Sequence, residues 1–358
     1  MAVLGELARR LRPRSRVLVF VDLAQDIDVL APLLAALRDS PGLEPVVRVS
    51  RWLERESPRT GARLRGLGLP FAYVRRAEVV AGRAPSLRGI SAVLAAAESS
   101  HPAHAAGHAL ALRAREAGVR TYALQHGLEN IGLYGLERGA ATFASEQVIC
   151  WYPEAETPPD LPAQTRARLL HLGRPLAAAA PRPPRYDLGV FENLHWDRYR
   201  PEDLDAFRAG LLAVAAALPQ LKVLVRPHPA GRWAAQLGQE LAPFPHIALA
   251  APAELREQAS GGAEAVGDAR RVITTPSTIA LDAALRGIPT ALAAPGGEVY
   301  APLRELRGPQ DWIAFARGIG DDPAGLDRFV SRVLVSGDAS PRIVERLGRD
   351  LRRGPHGD

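Results

Sequence analysis

Strand and helix alternate along this chain, stop at a proline cluster, and then start again. The run "RVLVFVDL" at 16–23 is continuously apolar and rich in valine, as a strand buried on both faces requires. "DIDVLAPLLAALRDS" follows with its apolar residues at helical spacing. The rhythm continues with strands in "EPVVRVS", "FAYVRR", "SAVLAAAES", "RTYALQHG" and "EQVICWY", and with helices in "RTGARLRGLG" and "AAGHALALRAREAG". Strands joined through helices pair in parallel, because each crossover returns the chain to the same end of the sheet.

"PLAAAAP" and "PRPPRYD" interrupt the pattern near 181–187, where clustered prolines extend the backbone and cannot join a sheet interior. Beyond them the alternation resumes. "DLGVFENL", "KVLVRPHP", "HIALA", "RVITTPS" and "TALAAP" read as strands, and "PEDLDAFRAGLLAVAAALPQ", "RWAAQLGQELAPF" and "TIALDAALRGIP" as helices. The expected class is α/β, with two Rossmann-like domains facing an interdomain cleft. The expected boundaries are 1–180, 185–335, and a C-terminal helix and tail over 338–358. A chain of 358 residues is long for one core and suits two domains of ordinary size.

Open α/β sheets take their ligands outside the carboxyl ends of the strands. Polar residues at those ends are therefore the candidates. In "TYALQHGLEN" an apolar strand ends in Gln125, His126 and Gly127; histidine is the usual general base near neutral pH, and glycine lets another group approach the backbone. Asp22, Asp26 and Asp28 in "VDLAQDID" follow the first strand and are rival bases, Asp22 and Asp26 foremost, although aspartate there also fits a helix cap. "VLVRPHPAG" places Arg226, His228 and Pro229 at a strand end, with a guanidinium suited to phosphate oxygens. In "VITTPSTIALDAALRGIPTAL", Thr275, Ser277 and Thr278 crowd a helix start, where hydroxyls and unpaired N–H groups accept either an anion or an ordinary N-cap role. Asp282, one turn further in, is in reach of ribose hydroxyls. "ENLHWDRY" adds Asn193 and His195 after the first strand of the second half, as acceptor or cleft contacts.

Composition narrows the classes. The net charge of +6 is carried almost wholly by arginine, but without a basic stripe interleaved with aromatics, so nucleic acid is not an expected partner. A single cysteine, Cys150, excludes an internal disulfide and a cysteine-based zinc site. His101, His104 and His108 lack a carboxylate at ligand spacing, so neither metal nor cofactor is expected. The first residues, "MAVLGELARRLRPRSR", read as a short basic amphipathic helix without a signal-peptide core. The expectation is a cytoplasmic protein, with peripheral contact at the inner face of the membrane left open. GxGxxG, Walker, GxSxG and HExxH motifs are missing, which weakens dinucleotide, NTPase, hydrolase and metalloprotease readings.

Taken together, "LQHG", "VRPHP" and "TTPSTIALDAALRGIPTAL", with "SEQVICWYPE" and "LLHLGRP", resemble the GT-B glycosyltransferases of bacterial surface polysaccharides. The similar groups are the capsule-synthesis Kdo transferases and the CDP-glycerol glycerophosphotransferases of teichoic acid synthesis. The resemblance implies metal-independent transfer from a nucleotide-activated donor, CMP-linked such as CMP-Kdo, to a glycan or glycolipid acceptor. His228, Pro229, Ser277 and Thr278 would then bind the donor phosphates, with His126 as base. "TTPST" stands where the glycerophosphotransferases carry aspartate-tyrosine-serine-serine, and "LQHG" replaces tryptophan-histidine-glycine-threonine, which favours a sugar over a polyol phosphate. In Kdo-type enzymes an acidic base is expected, which keeps Asp22 and Asp26 in play. The alternatives are a CDP-polyol phosphotransferase, a UDP-N-acetylglucosamine 2-epimerase, and a non-catalytic nucleotide-sugar binding subunit.

Overall fold

The computed structural model describes residues 14–129, 131, 142–177, 182–194, 199–228, 234–250 and 262–353. Its contacts divide the chain into two units: Met1–Ala178 together with Leu334–Asp358, and Ala179–Val333.

The first unit is built on strands β1 (Ser15–Val21), β2 (Leu43–Ser50), β3 (Phe71–Val74), β4 (Ala92–Ala95), β5 (Arg120–Leu124), β6 (Gln147–Cys150) and β7 (Leu169–His171). They form one sheet in the order β3-β2-β1-β4-β5-β6-β7, with every pairing parallel. Helices α1 (Asp26–Asp39), α2 (Leu53–Glu56), α3 (Pro58–Gly66), α4 (Arg76–Val80), α5 (Ala105–Glu116) and α6 (Ala163–Arg166) connect them. β1 lies inside the sheet between β2 and β4, and Val17 to Val21 are wholly buried, which is why the run shows no polar alternation. Leu18 and Phe20 share one face and pack with Val93, Ala106 and Leu110 in a single apolar cluster. On α1, the residues Ile27, Leu30, Leu34 and Leu37 recur at helical spacing and are buried.

The second unit repeats the plan with β8 (Leu188–Phe191), β9 (Val223–Arg226), β10 (Ile247–Leu249), β11 (Val272–Thr274), β12 (Thr290–Leu292) and β13 (Arg304–Glu305). Their order is β10-β9-β8-β11-β12-β13, again parallel throughout. Its helices are α7 (Pro201–Ala217), α8 (Ala234–Leu241), α9 (Gly262–Val266), α10 (Thr278–Ala284), α11 (Pro309–Ala316) and α12 (Pro323–Val333). The core joins Leu188, Val190, Phe207, Leu211, Val225 and Trp312. Gly210 is the close-approach point of α7 on α11, since a Cβ there would stand 2.4 Å from the Trp312 ring.

The chain then returns to the first unit through α13 (Ser340–Arg352). Val335 N–H donates to the Trp151 carbonyl at 2.8 Å, Arg342 Nε to Leu172 O at 2.9 Å, and Tyr122 Oη to Asp350 at 2.9 Å. This helix therefore packs as part of the first unit. The proline segment is likewise tied down at its end: the Arg185 and Tyr186 N–H groups both donate to Asp268 O, at 2.7 and 2.9 Å. Among the described residues no helix is long and apolar enough to cross a membrane.

Candidate functional site

Because every strand of the first sheet runs the same way, its carboxyl ends line one edge, and the polar strand ends collect there. Asp22 follows β1, Ser50 closes β2, Glu98 and Ser99 follow β4, and Gln125 and His126 follow β5.

Asp22 and Asp26 stand on that edge where β1 gives way to α1, and are 1% and 0% exposed. Asp26 Oδ2 accepts the backbone N–H groups of Asp22 at 3.0 Å and Leu23 at 2.8 Å, closing the turn that starts α1. Burial pushes the Asp26 carboxyl up to about 7, against the pull of those two N–H groups. Asp22 Oδ1 accepts from the Ser50 hydroxyl and from Arg76 Nε, the latter at 2.7 Å. Arg76 Nη2 and the Trp52 indole N–H both donate to the Asp22 carbonyl at 3.0 Å. The Arg76 guanidinium lies 4.4 Å from the centre of the Trp52 ring, so the cation is held by ion pair, hydrogen bond and stacking together.

His126 follows β5, two strands along the same edge. Its Nδ1 donates to the Ala96 carbonyl at 2.9 Å, which sets the tautomer and leaves Nε2 as the acceptor nitrogen. Burial lowers its pKa to about 4, although the Ala96 bond works the other way, so the ring is neutral at pH 7. His104 packs edge-on to it, with ring centroids 5.1 Å apart, and meets the Ser99 hydroxyl through Nδ1 at 2.7 Å. Burial, followed by the neighbouring His126, His101 and Arg76, drives His104 down to about 3. Gly107 makes this packing possible. A Cβ there would fall 2.2 Å from the Ala97 carbonyl, so only glycine lets the first turn of α5 rest on the end of β4. Among the described residues no group of three or more His, Cys, Asp or Glu side chains is arranged to hold a metal ion.

Gln125 does a different job from its neighbour. It is 1% exposed, donates to the Gly127 and Leu128 carbonyls at 2.9 and 3.2 Å, and accepts Trp151 N–H at 2.7 Å. Its amide and the Gly127 carbonyl thus fix the turn that aims His126. The same holds for Glu98, whose carboxylate takes the N–H groups of Ala144 and Ser145 at 3.0 and 3.1 Å and His108 Nδ1 at 2.8 Å.

In the second unit, Arg226 closes β9 and His228 follows two residues on, both half-buried. Buried Glu192, after β8, accepts the His228 N–H at 3.3 Å and also the N–H of Leu194, tying the β8 and β9 ends together. Half-buried Asn193 sits between them in sequence. Thr275 and Ser277 lie between β11 and α10, with Thr278 opening the helix. Ser277 is the N-cap: its hydroxyl accepts Ile279 N–H at 3.3 Å and meets Thr274 Oγ1 at 3.2 Å. The Thr275 hydroxyl is buried and has no hydrogen-bond partner among the described residues. Asp282 is 7% exposed, and its carbonyl accepts from Arg286 at 2.7 Å. Pro229, His195 and the basic N-terminal segment lie outside the described residues.

Sequence reading missed Ser50, Trp52, Arg76, Glu98 and Glu192. Each except Trp52 ends or follows a strand read correctly, Arg76 standing at the end of "FAYVRR", so the strand-end rule applied to every polar residue would have found them. What no local signal gave is the pairing, because Asp22 is 30 positions from Trp52 and 54 from Arg76.

No family model matches the chain, and none of the curated proteins matches it. Solved structures do. A Staphylococcus aureus MnaA–UDP co-structure aligns over 96% of this chain and 99% of its own, at 12% identity and a TM-score of 0.67. The Neisseria meningitidis UDP-GlcNAc 2-epimerase bound to UDP-GlcNAc gives 93%, 100%, 12% and 0.66 in the same order. A glycosyltransferase of kitacinnamycin gives 96%, 99%, 13% and 0.56. At such identities the shared property is the fold. The chain has the two-unit α/β architecture of GT-B glycosyltransferases and these epimerases.

Proposed function

We propose that this protein is a nucleotide-sugar enzyme, a metal-independent glycosyltransferase that moves a sugar from a UDP-linked donor to a saccharide hydroxyl. The observation that carries the reading is His126, a neutral imidazole of set tautomer on the carboxyl edge of its sheet. Its Nε2 takes the proton of the acceptor hydroxyl as the acceptor oxygen bonds to the anomeric carbon, and the bond from that carbon to the nucleotide phosphate breaks. At 9% exposure His126 is more open than Asp22 at 1% or Asp26 at 0%, and Asp26 Oδ2 is engaged by the Asp22 and Leu23 N–H groups. Asp22 then positions Arg76 rather than abstracting the proton.

The second unit would hold the donor. Arg226, His228 and the hydroxyls of Thr275, Ser277 and Thr278 would meet the departing diphosphate, supplying fixed positive and hydrogen-bonding groups where charge develops. Asp282 would take the ribose hydroxyls. The CMP-linked donor implied by the Kdo-transferase resemblance gives way here to a uridine nucleotide, because two similar structures are named for UDP and UDP-GlcNAc. Nucleotide release from UDP-sugars, CMP-Kdo and CDP-glycerol, measured with and without a saccharide acceptor, tests the reading. Acceptor-dependent release of UDP supports it, and release of CMP alone sinks the donor assignment.

A second reading, UDP-sugar 2-epimerisation, is favoured by the TM-score of 0.66 to the Neisseria epimerase against 0.56 to the glycosyltransferase. Proton NMR of UDP-GlcNAc incubated with the protein alone decides it: appearance of the 2-epimer without acceptor replaces the transferase reading.

A further inference from the structure

An open pocket of about 470 Å³ lies in the first unit, lined by Arg51, Trp52, Glu54, Arg55, Arg75 and Arg76. The transfer step above does not use it. Its walls come from the turn after β2, from α2, and from the junction of β3 with α4.

The charge in this pocket is unbalanced. Arg76 is matched by Asp22 at 2.7 Å, and Arg75 by Glu78 at 3.6 Å. The Arg51 and Arg55 side chains make no hydrogen bond or ion pair with a described residue, and both are exposed. Glu54 is the single acid among the lining residues against four arginines. A surface arginine needs no partner, but several guanidinium groups gathered around one concavity repel one another unless an anion joins them. Arg76 is also pre-oriented: Nε and Nη2 are held by Asp22, and its plane rests on Trp52. Half-buried Trp52 adds an apolar wall, the surface a sugar ring needs beside its charged substituent.

We propose that this pocket binds an anionic saccharide, a sugar bearing a carboxylate or a phosphate, as the acceptor or its neighbouring residue. The proposal rests on the transferase reading for the word acceptor, but the binding site stands on its own geometry. Arg51 and Arg55 supply the anion contacts, Trp52 the ring contact, and Arg76 links the pocket to the Asp22 edge of the candidate site.

Calorimetric titration tests it with four probes: a glucuronic-acid-terminated disaccharide, the methyl ester of that disaccharide, glucose 6-phosphate, and UDP. The expected result is that the uronate or the sugar phosphate binds at least tenfold tighter than the neutral ester. Arg51→Gln/Arg55→Gln should remove that preference and leave UDP affinity unchanged. Whichever anion is preferred identifies carboxylate or phosphate as the natural group. Equal binding of acid and ester, or equal anion binding by the double variant, overturns the pocket assignment. UDP binding with no anion preference sinks this inference and spares the transferase reading; anion preference without UDP binding does the reverse. Sedimentation with phosphatidylglycerol vesicles is the remaining arm. Vesicle binding that needs Arg51 and Arg55, with no saccharide bound, overturns the proposal in favour of a lipid headgroup.

Discussion

His126 donates its Nδ1 proton to the carbonyl of Ala96 at 2.9 Å, across the ends of two adjacent parallel strands, β5 and β4. The bond joins residues thirty positions apart and decides which ring nitrogen carries the proton. It also ties the ring's basicity to a backbone group that does not titrate.

The first prediction follows from that bond. His126→Ala should lower turnover by about two to four orders of magnitude, the usual contribution of a positioned base, with UDP affinity nearly kept. A base works in its deprotonated form, so activity is lost as pH falls through its pKa. With His126 at about 4, kcat/KM for wild type should be flat between pH 5.5 and 8. An acid limb near 7, removed by Asp26→Asn, would transfer the role to Asp26.

Asp26 gives the second. Its folded pKa is about 7, against 3.8 for the free carboxyl, so between those values the folded state holds a proton that the unfolded state has lost. The associated stability is fully present below pH 4 and is lost as pH rises through about 7. Asp26→Asn keeps an oxygen for the Asp22 and Leu23 N–H groups without the ionisation. From pH 4 to 8 its stability relative to wild type should therefore rise, by up to roughly 4 kcal/mol at 1.36 kcal/mol per pKa unit. Urea titrations at both pH values measure this, and parallel curves would contradict it.

Thr275 carries the third. A buried hydroxyl without a partner is costly, and replacing it by a methyl group of the same shape removes the cost. Thr275→Val should leave the melting temperature unchanged or higher. If the hydroxyl meets the donor phosphates, UDP should weaken severalfold while uridine is unaffected. Unchanged UDP affinity would reduce Thr275 to a packing residue.

Gly210 provides a control on the fold. Alanine gains roughly 1 kcal/mol of helix propensity, but its Cβ would stand 2.4 Å from the rigid Trp312 ring. Overpacking of this kind costs about 1–3 kcal/mol, so Gly210→Ala should lower the melting temperature. A higher one would mean that α7 and α11 do not meet at this point.

Local pattern alone was sufficient for the architecture. The wholly apolar run at 17–21, the helical spacing in α1 and the proline break each act over a few residues, and each indicates its element without reference to the rest of the chain. The strand-end rule then picked out Asp22, His126, Arg226 and Ser277, because parallel strands gather their carboxyl ends whatever the packing details. Pairings over long distances were decided only by the tertiary structure. Arg76 reaches Asp22 from 54 positions away and Tyr122 reaches Asp350 from 228, and no periodicity encodes which partner a side chain will meet. Neighbours in sequence also part company there. Gln125 faces inward and spends its amide on the turn, whereas His126 turns its Nδ1 to the Ala96 carbonyl. The unusual ionisation of Asp26 and His126 is tertiary too, since it comes mainly from burial, which the packed chain creates and the sequence shows only as a row of ordinary residues.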